Sequence, residues 1–293
     1  MSDRIVITGA GGQLGTCLAA QATDQGRNVL ALTSSQWDIT DPAAAKSIVN
    51  TGDVVVNCAA YTNVDGAESD EATAHAVNAA GPGYIAEACA RAGARLIHVS
   101  TDYVFTGDPG PGGPRPYEPS DETHARGVYA TTKLAGERAV LAALPEAVVV
   151  RTAWLYTGGT GGKDFVAVMR RLAAGDGPVT VVHDQTGSPT YVADLAVALL
   201  QLADDGVSGA VLHAANEGEV SRYGQARAVF EECGADPERV QPVRTDEFPR
   251  PAPRPTYSAL GGRESAAAGL TPLRPWRAAL VAALAAPLPS TRD

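Results

Sequence analysis

Apolar residues in the first half of this chain fall in short continuous runs rather than in alternation. Arg4-Ile5-Val6-Ile7-Thr8 is rich in β-branched side chains, and similar runs recur at 28–32, 53–57, 95–99 and 147–151. Runs of this length bounded by turn-forming residues predict buried strands. Between them, residues 14–22, 79–92 and about 127–144 read as helices, and Asp41-Pro42 marks another helix start with Pro at its first position. Strand and helix in alternation predict an α/β fold built on a doubly wound parallel sheet.

Beyond residue 156 the alternation weakens. Helices are expected at 164–174, 192–202, 222–233 and 275–285, strands at 179–182 and 210–215, a turn at 184–190, an extended Pro-rich stretch at 242–255 and a frayed end at 287–293. The division this suggests is a larger α/β domain over 1–156 and a smaller domain over 157–293, with the 210–215 strand free to return to the sheet. The Gly- and Pro-rich segment 106–119 is too long for a plain connection and reads as a binding loop or lid.

Composition narrows the function classes. Of 293 residues, 45% are hydrophobic and 19% charged, an ordinary globular balance. A net charge of -10 argues against nucleic acid as a partner, so an anionic substrate has to be held by a few local donors. Cys17, Cys58, Cys89 and Cys233 are scattered, which suits reduced thiols in a cytoplasmic protein. No apolar run approaches a membrane span, and no signal peptide is expected.

Two motifs carry chemistry. The first strand runs directly into Gly9-Ala10-Gly11-Gly12-Gln13-Leu14-Gly15 and then a helix, the context in which glycines let backbone approach a pyrophosphate at a helix N-terminus. Its spacing is Gly9-x-x-Gly12-x-x-Gly15. The second is Tyr129-Ala130-Thr131-Thr132-Lys133, where a phenol and an ammonium share one helical face. Lys46, Lys133 and Lys163 are the only lysines among 23 basic residues, so Lys133 suggests a need for a compact, tunable cation. Such a cation is expected to lower the phenol's pKa and fit it for proton transfer to a carbonyl oxygen. Taken alone, the same pair would read as a solvated couple on an amphipathic helix. Ser100, Thr101 and Asp102 fall at the carboxyl end of a strand, where open α/β sheets bind their ligands.

These stretches, together with 57–62, 100–105, 129–137, 151–156, 185–190 and Arg254-Pro255 with Ser258 and Leu260, resemble the extended short-chain dehydrogenase/reductase family and, within it, the dTDP-4-dehydrorhamnose reductases. The resemblance runs from Ile5 to about Trp276 and implies a dinucleotide-binding Rossmann domain over 1–156 and a smaller substrate-binding domain over 157–293. It implies Tyr129 as proton donor, Thr101 as the hydroxyl that polarises the substrate carbonyl, and Lys133 as the residue holding the nicotinamide ribose. It further implies that Gly12, Gln13 and Leu14 contact the pyrophosphate, Asp38 and Ile39 the adenine, and Ala60, Tyr61 and Thr62 the ribose side. Thr101, Asp102 and Trp154 would line the sugar nucleotide, with Gln185 and Arg254 as further candidates; for Arg254 a diphosphate contact and a structural ion pair are competing readings. The implied partner is a dTDP-4-keto-6-deoxyhexose.

Three departures shape the expectation. Where the family has Pro-x-Asn-x-Tyr-Gly, this chain has Ala125-Arg126-Gly127-Val128-Tyr129-Ala130, which keeps open a 4-ketoreductase for another deoxysugar. The end of the second strand, Leu32-Thr33-Ser34-Ser35-Gln36, lacks both the carboxylate that repels a 2′-phosphate and an Arg that would grip one. NADPH is therefore expected to be preferred modestly, with NADH usable. Some relatives place a magnesium-binding Glu where Cys17 stands, so no metal is expected, and the chain is expected to be a monomer or a metal-independent homodimer. A non-catalytic NADP-binding regulatory subunit is the reading from a different class, disfavoured by the intact Thr101, Tyr129 and Lys133.

Overall fold

Each apolar run becomes a strand of one sheet. In the computed structural model, which describes residues 4–108 and 113–285, Ile5–Thr8, Val29–Leu32, Val54–Asn57, Arg95–Thr101, Val148–Thr152 and Ala210–His213 pair in parallel throughout. Across the sheet the order is 210–213, 148–152, 95–101, 54–57, 5–8, 29–32. From the 5–8 strand the chain first moves outward to 29–32, then restarts on the other side with 54–57. That reversal opens a crevice beyond the carboxyl ends of the 5–8 and 54–57 strands, the switch point at which such sheets bind ligands.

The runs are apolar without interruption because both faces are covered. Helices Gln13–Asp24 and Val192–Asp205 lie over Ile5, Ile7, Val54, Val56, Val148 and Val150. On the opposite face, Pro42–Ile48, Gly81–Ala92 and Val128–Ala143 cover Val6, Val55, Leu96 and Val149. Each large aliphatic side chain so enclosed contributes roughly 1.5–3 kcal/mol. A separate core gathers Tyr156, Met169, Val181, Phe230 and Leu280 between the helices Phe165–Ala173, Arg222–Glu232 and Trp276–Ala285. Beside it Val179–Val182 pairs in parallel with Val240–Val243. The strand at 210–213 does return to the main sheet, and the helix before it returns as well.

Some local structure departs from expectation. Residues 64–80 carry no apolar stripe, yet Val64–Ala67 and Glu71–His75 are helical, and a π-helical turn at Ala76–Ala80 leads straight into Gly81–Ala92. The Pro-rich stretch begins within the 240–243 strand and continues as a short 3₁₀ turn, Thr245–Glu247, rather than staying extended. Part of the 106–119 loop and all of 287–293 lie outside the described residues. Among the described residues no helix is long and apolar enough to cross a membrane.

Candidate active site

The crevice is a cleft of about 960 Å³ running from the glycine turn to the end of the 95–101 strand. Its first wall depends on missing side chains. Gly9 sits at φ +64°, and a Cβ there would lie 2.7 Å from the Ala59 backbone nitrogen; a Cβ on Gly15 would lie 2.3 Å from the Gly9 carbonyl oxygen. Gly12 ends the turn as the N-cap of helix 13–24, with no side-chain cap and no acidic residue in the first turn. This bare cradle of backbone N–H groups fits a dinucleotide phosphate. Gly9, Gly12, Gln13, Leu14, Gly15, Thr33, Asp38, Ile39, Ala60 and Thr62 all line the cleft. Tyr61 does not; its backbone N–H and carbonyl are both tied to the Asn78 amide. Asp38 stays on the exposed rim, held below the usual carboxylate range by hydrogen bonds from the Thr40 hydroxyl and backbone N–H.

Thr101, Tyr129 and Lys133 converge at the other end of the cleft. Helix 128–143 delivers Tyr129 in its first turn, and Glu68 caps that helix by accepting from the Val128 N–H at 2.8 Å. The Tyr129 phenol lies beside the Thr101 hydroxyl, which favours its ionised form, and its ring meets Tyr103 edge to face at 5.6 Å. The expectation that Lys133 lowers the phenol's pKa is corrected here. Burial raises it above the ordinary tyrosine value, Asp102 and Tyr103 add to the rise, and only the Thr101 hydroxyl opposes them. The ammonium points elsewhere: Lys133 Nζ donates to the Val99 carbonyl at 2.8 Å. Burial pulls Lys133 itself down to about 8, against the pull of Glu137 and Cys58. The phenol is thus kept protonated, the form needed to give up a proton.

Several contributors were not legible in the sequence. Asn78, fully buried in the π-helical turn, holds Tyr61 and also donates to the Thr132 hydroxyl at 3.3 Å. Behind Lys133 the buried Glu137 accepts from Ser100 at 2.5 Å and from Arg151 at 2.8 and 3.0 Å. Glu137 lies four residues beyond Lys133 on the same helical face, a spacing that could have flagged it. Beneath the glycine turn, Thr8 donates to Asn57 at 2.6 Å and the Asn57 amide meets His98 Nδ1 at 3.0 Å, fixing the 57–60 bend across three strands.

The substrate candidates separate. Asp102 lines the cleft but is engaged, accepting from Thr101 at 3.1 Å and from Ser258 at 2.5 Å; burial raises its carboxyl to about 6 against those hydrogen bonds. Trp154 also lines the cleft, in a left-handed conformation at φ +49°, alone among the described non-glycine residues. Strain of this kind concentrates at functional sites. Gln185 is outside the cleft lining and donates to Thr245. Arg254 pairs with Asp65 at 2.9 Å and lines a smaller neighbouring cleft of about 240 Å³ with Arg126. Arg222, which no local pattern marked, lines the main cleft. Cys17 is half-buried on helix 13–24, where burial raises its thiol.

Comparison with known proteins places this geometry. The family model described as RmlD substrate binding domain matches residues 3–288. A dTDP-4-dehydrorhamnose reductase of Mycobacterium tuberculosis is 74% identical, covering 100% of this chain and 99% of its own. A probable dTDP-4,6-dihydroxy-2-methyloxan-3-one 4-ketoreductase of Streptomyces antibioticus is 45% identical over 99% of this chain and 98% of its own. Among solved structures, dTDP-4-dehydrorhamnose reductase from Bacillus anthracis in complex with NADP superposes with a TM-score of 0.88 at 34% identity, covering 96% of this chain and 98% of that one. This chain belongs to the dTDP-4-dehydrorhamnose reductase family.

Proposed function

We propose that this protein reduces the C4 ketone of dTDP-4-dehydro-L-rhamnose to dTDP-L-rhamnose with NADPH as hydride donor. The observation that carries the reading is the convergence of Thr101, Tyr129 and Lys133, with the phenol held protonated, in the cleft that begins at the glycine turn. NADPH, when bound, supplies the hydride. The residues of this chain do the rest. The glycine turn and the Thr33–Ser34 segment receive the dinucleotide, that segment offering hydroxyls to a 2′-phosphate. Thr101 donates to the ketone oxygen and polarises it, and Tyr129 passes its proton to that oxygen as negative charge develops. Lys133 turns its ammonium from the Val99 carbonyl toward the nicotinamide ribose.

The Arg126 side chain beside the smaller cleft, at the point where the sequence departs from its family, favours one second reading: a 4-ketoreductase for a related dTDP-deoxyhexose. Oxidation of NADPH with dTDP-4-keto-6-deoxyglucose, measured with and without a 3,5-epimerase, separates the two. Turnover dependent on the epimerase is expected. Turnover without it overturns the first reading in favour of the second, and no turnover with intact NADPH binding supports the regulatory-subunit class instead. Tyr129→Phe should retain NADPH binding and lose about 10² to 10⁴ in kcat.

A further inference from the structure

The acidic chain must hold a doubly charged diphosphate with local cations. Three basic residues line the main cleft: Lys133, Lys163 and Arg222. Lys133 donates to the Val99 carbonyl at the floor and is assigned above to the nicotinamide ribose. Lys163 adjoins Asp164, whose carboxylate accepts from Gln13 in the glycine turn, so it belongs to the dinucleotide end. Arg222 is the third, on the side of the cleft that carries Trp154 and Phe165. Its guanidinium lies 3.5 Å from the centre of the Trp154 ring and 4.9 Å from that of Phe165, and its charge is felt by Asp102 and Tyr103.

Arg222 is built into place and left without a counter-ion. Its backbone N–H donates to Gln185, and Ser221 caps the helix it begins by accepting from the Gly224 N–H. Gly187 makes room for the arrangement, since a Cβ there would come within 2.6 Å of the Trp154 ring. Among the described residues no carboxylate forms an ion pair with Arg222; its side chain donates only to the Gln225 amide oxygen at 3.3 Å. A guanidinium with its faces against aromatic rings and only one N–H group engaged is suited to a bidentate oxyanion. Arg254, the cation that sequence suggested for this task, is neutralised by Asp65.

We propose that Arg222 grips the diphosphate of the nucleotide-sugar substrate, with Trp154 orienting the guanidinium; this rests on the function proposed above. The test is inhibition by dTDP and by thymidine, alongside steady-state kinetics, for wild type, Arg222→Gln, Arg222→Lys and Arg126→Gln. Arg222→Gln should raise the dTDP inhibition constant and the sugar-nucleotide KM roughly 10- to 100-fold, on the scale of one lost charge-assisted contact. Thymidine inhibition, kcat and the NADPH Kd should stay within about threefold, Arg222→Lys should recover part of the loss, and Arg126→Gln should leave the dTDP inhibition constant unchanged. An unchanged dTDP constant in Arg222→Gln overturns the proposal, as does a loss that appears in Arg126→Gln instead. An NADPH Kd that worsens in step with dTDP also overturns it, because the residue would then act through the fold. Wild type that turns over the sugar while Arg222→Gln matches it sinks this proposal alone; wild type that neither binds dTDP nor oxidises NADPH removes the functional reading as well.

Discussion

At the scale of single residues, the trio proposed for catalysis was read from one local spacing and a resemblance. Tyr129 and Lys133 sit four apart on one helix, and Thr101 closes an apolar run. Their electrostatics were not legible, because enclosure is a tertiary property. The Lys133 value of about 8 lies below the 10.5 of an exposed lysine. Below pH 8 both folded and unfolded chains hold the proton, and the cost of burying the cation is fully present. Between pH 8 and 10.5 the unfolded chain keeps a proton that the folded chain releases, so this site's contribution to stability rises with pH. A shift of that size corresponds to about 3 kcal/mol. Urea unfolding of wild type and Lys133→Met should therefore show wild type gaining relative to the variant as pH goes from 7 to 10. A gap that stays constant across that range would mean the ammonium is not desolvated.

At the scale of elements, strands were read within a residue or two, since five of the six are near-continuous apolar runs. Among the helices that escaped notice, those at 64–67 and 71–78 lack amphipathic periodicity and are held by tertiary partners. The π-helical turn matters most, since it presses Asn78 against the catalytic helix. A Cβ on Gly136 would lie 2.1 Å from the Asn78 carbonyl oxygen. In a free helix Gly→Ala would stabilise by roughly 1 kcal/mol. Here the obstacle is backbone, and overpacking of this kind costs about 1–3 kcal/mol. Gly136→Ala should thus lower Tm despite the better helix former. It should also reduce kcat, because the helix that must shift carries Tyr129 and Lys133. A raised Tm with unchanged kcat would show that the two segments can separate freely.

At the scale of the whole molecule, the first 156 residues announce a Rossmann half while concealing their dependence on the C-terminal part of the chain. Helix 192–205 is apolar nearly all round, with Leu195, Leu199 and Leu202 fully buried, and that pattern cannot say which layer it joins. It joins the sheet face carrying Ile5, Ile7, Val54 and Val56. Strand 210–213 then covers the edge of 148–152 through four residue pairs. A chain ending at residue 156 would expose that face and that edge. Three lost leucine contacts at roughly 1.5–3 kcal/mol each already amount to about 5–9 kcal/mol, comparable to the roughly 5–15 kcal/mol that holds a whole domain folded. The fragment 1–156 is therefore expected to show no cooperative thermal transition by circular dichroism and no NADPH fluorescence enhancement. A fragment extended to residue 214 regains the helix and the edge strand, and should recover a cooperative transition at a lower Tm than the full chain. Cooperative melting together with NADPH binding by 1–156 would show that the sheet stands without its returning layer.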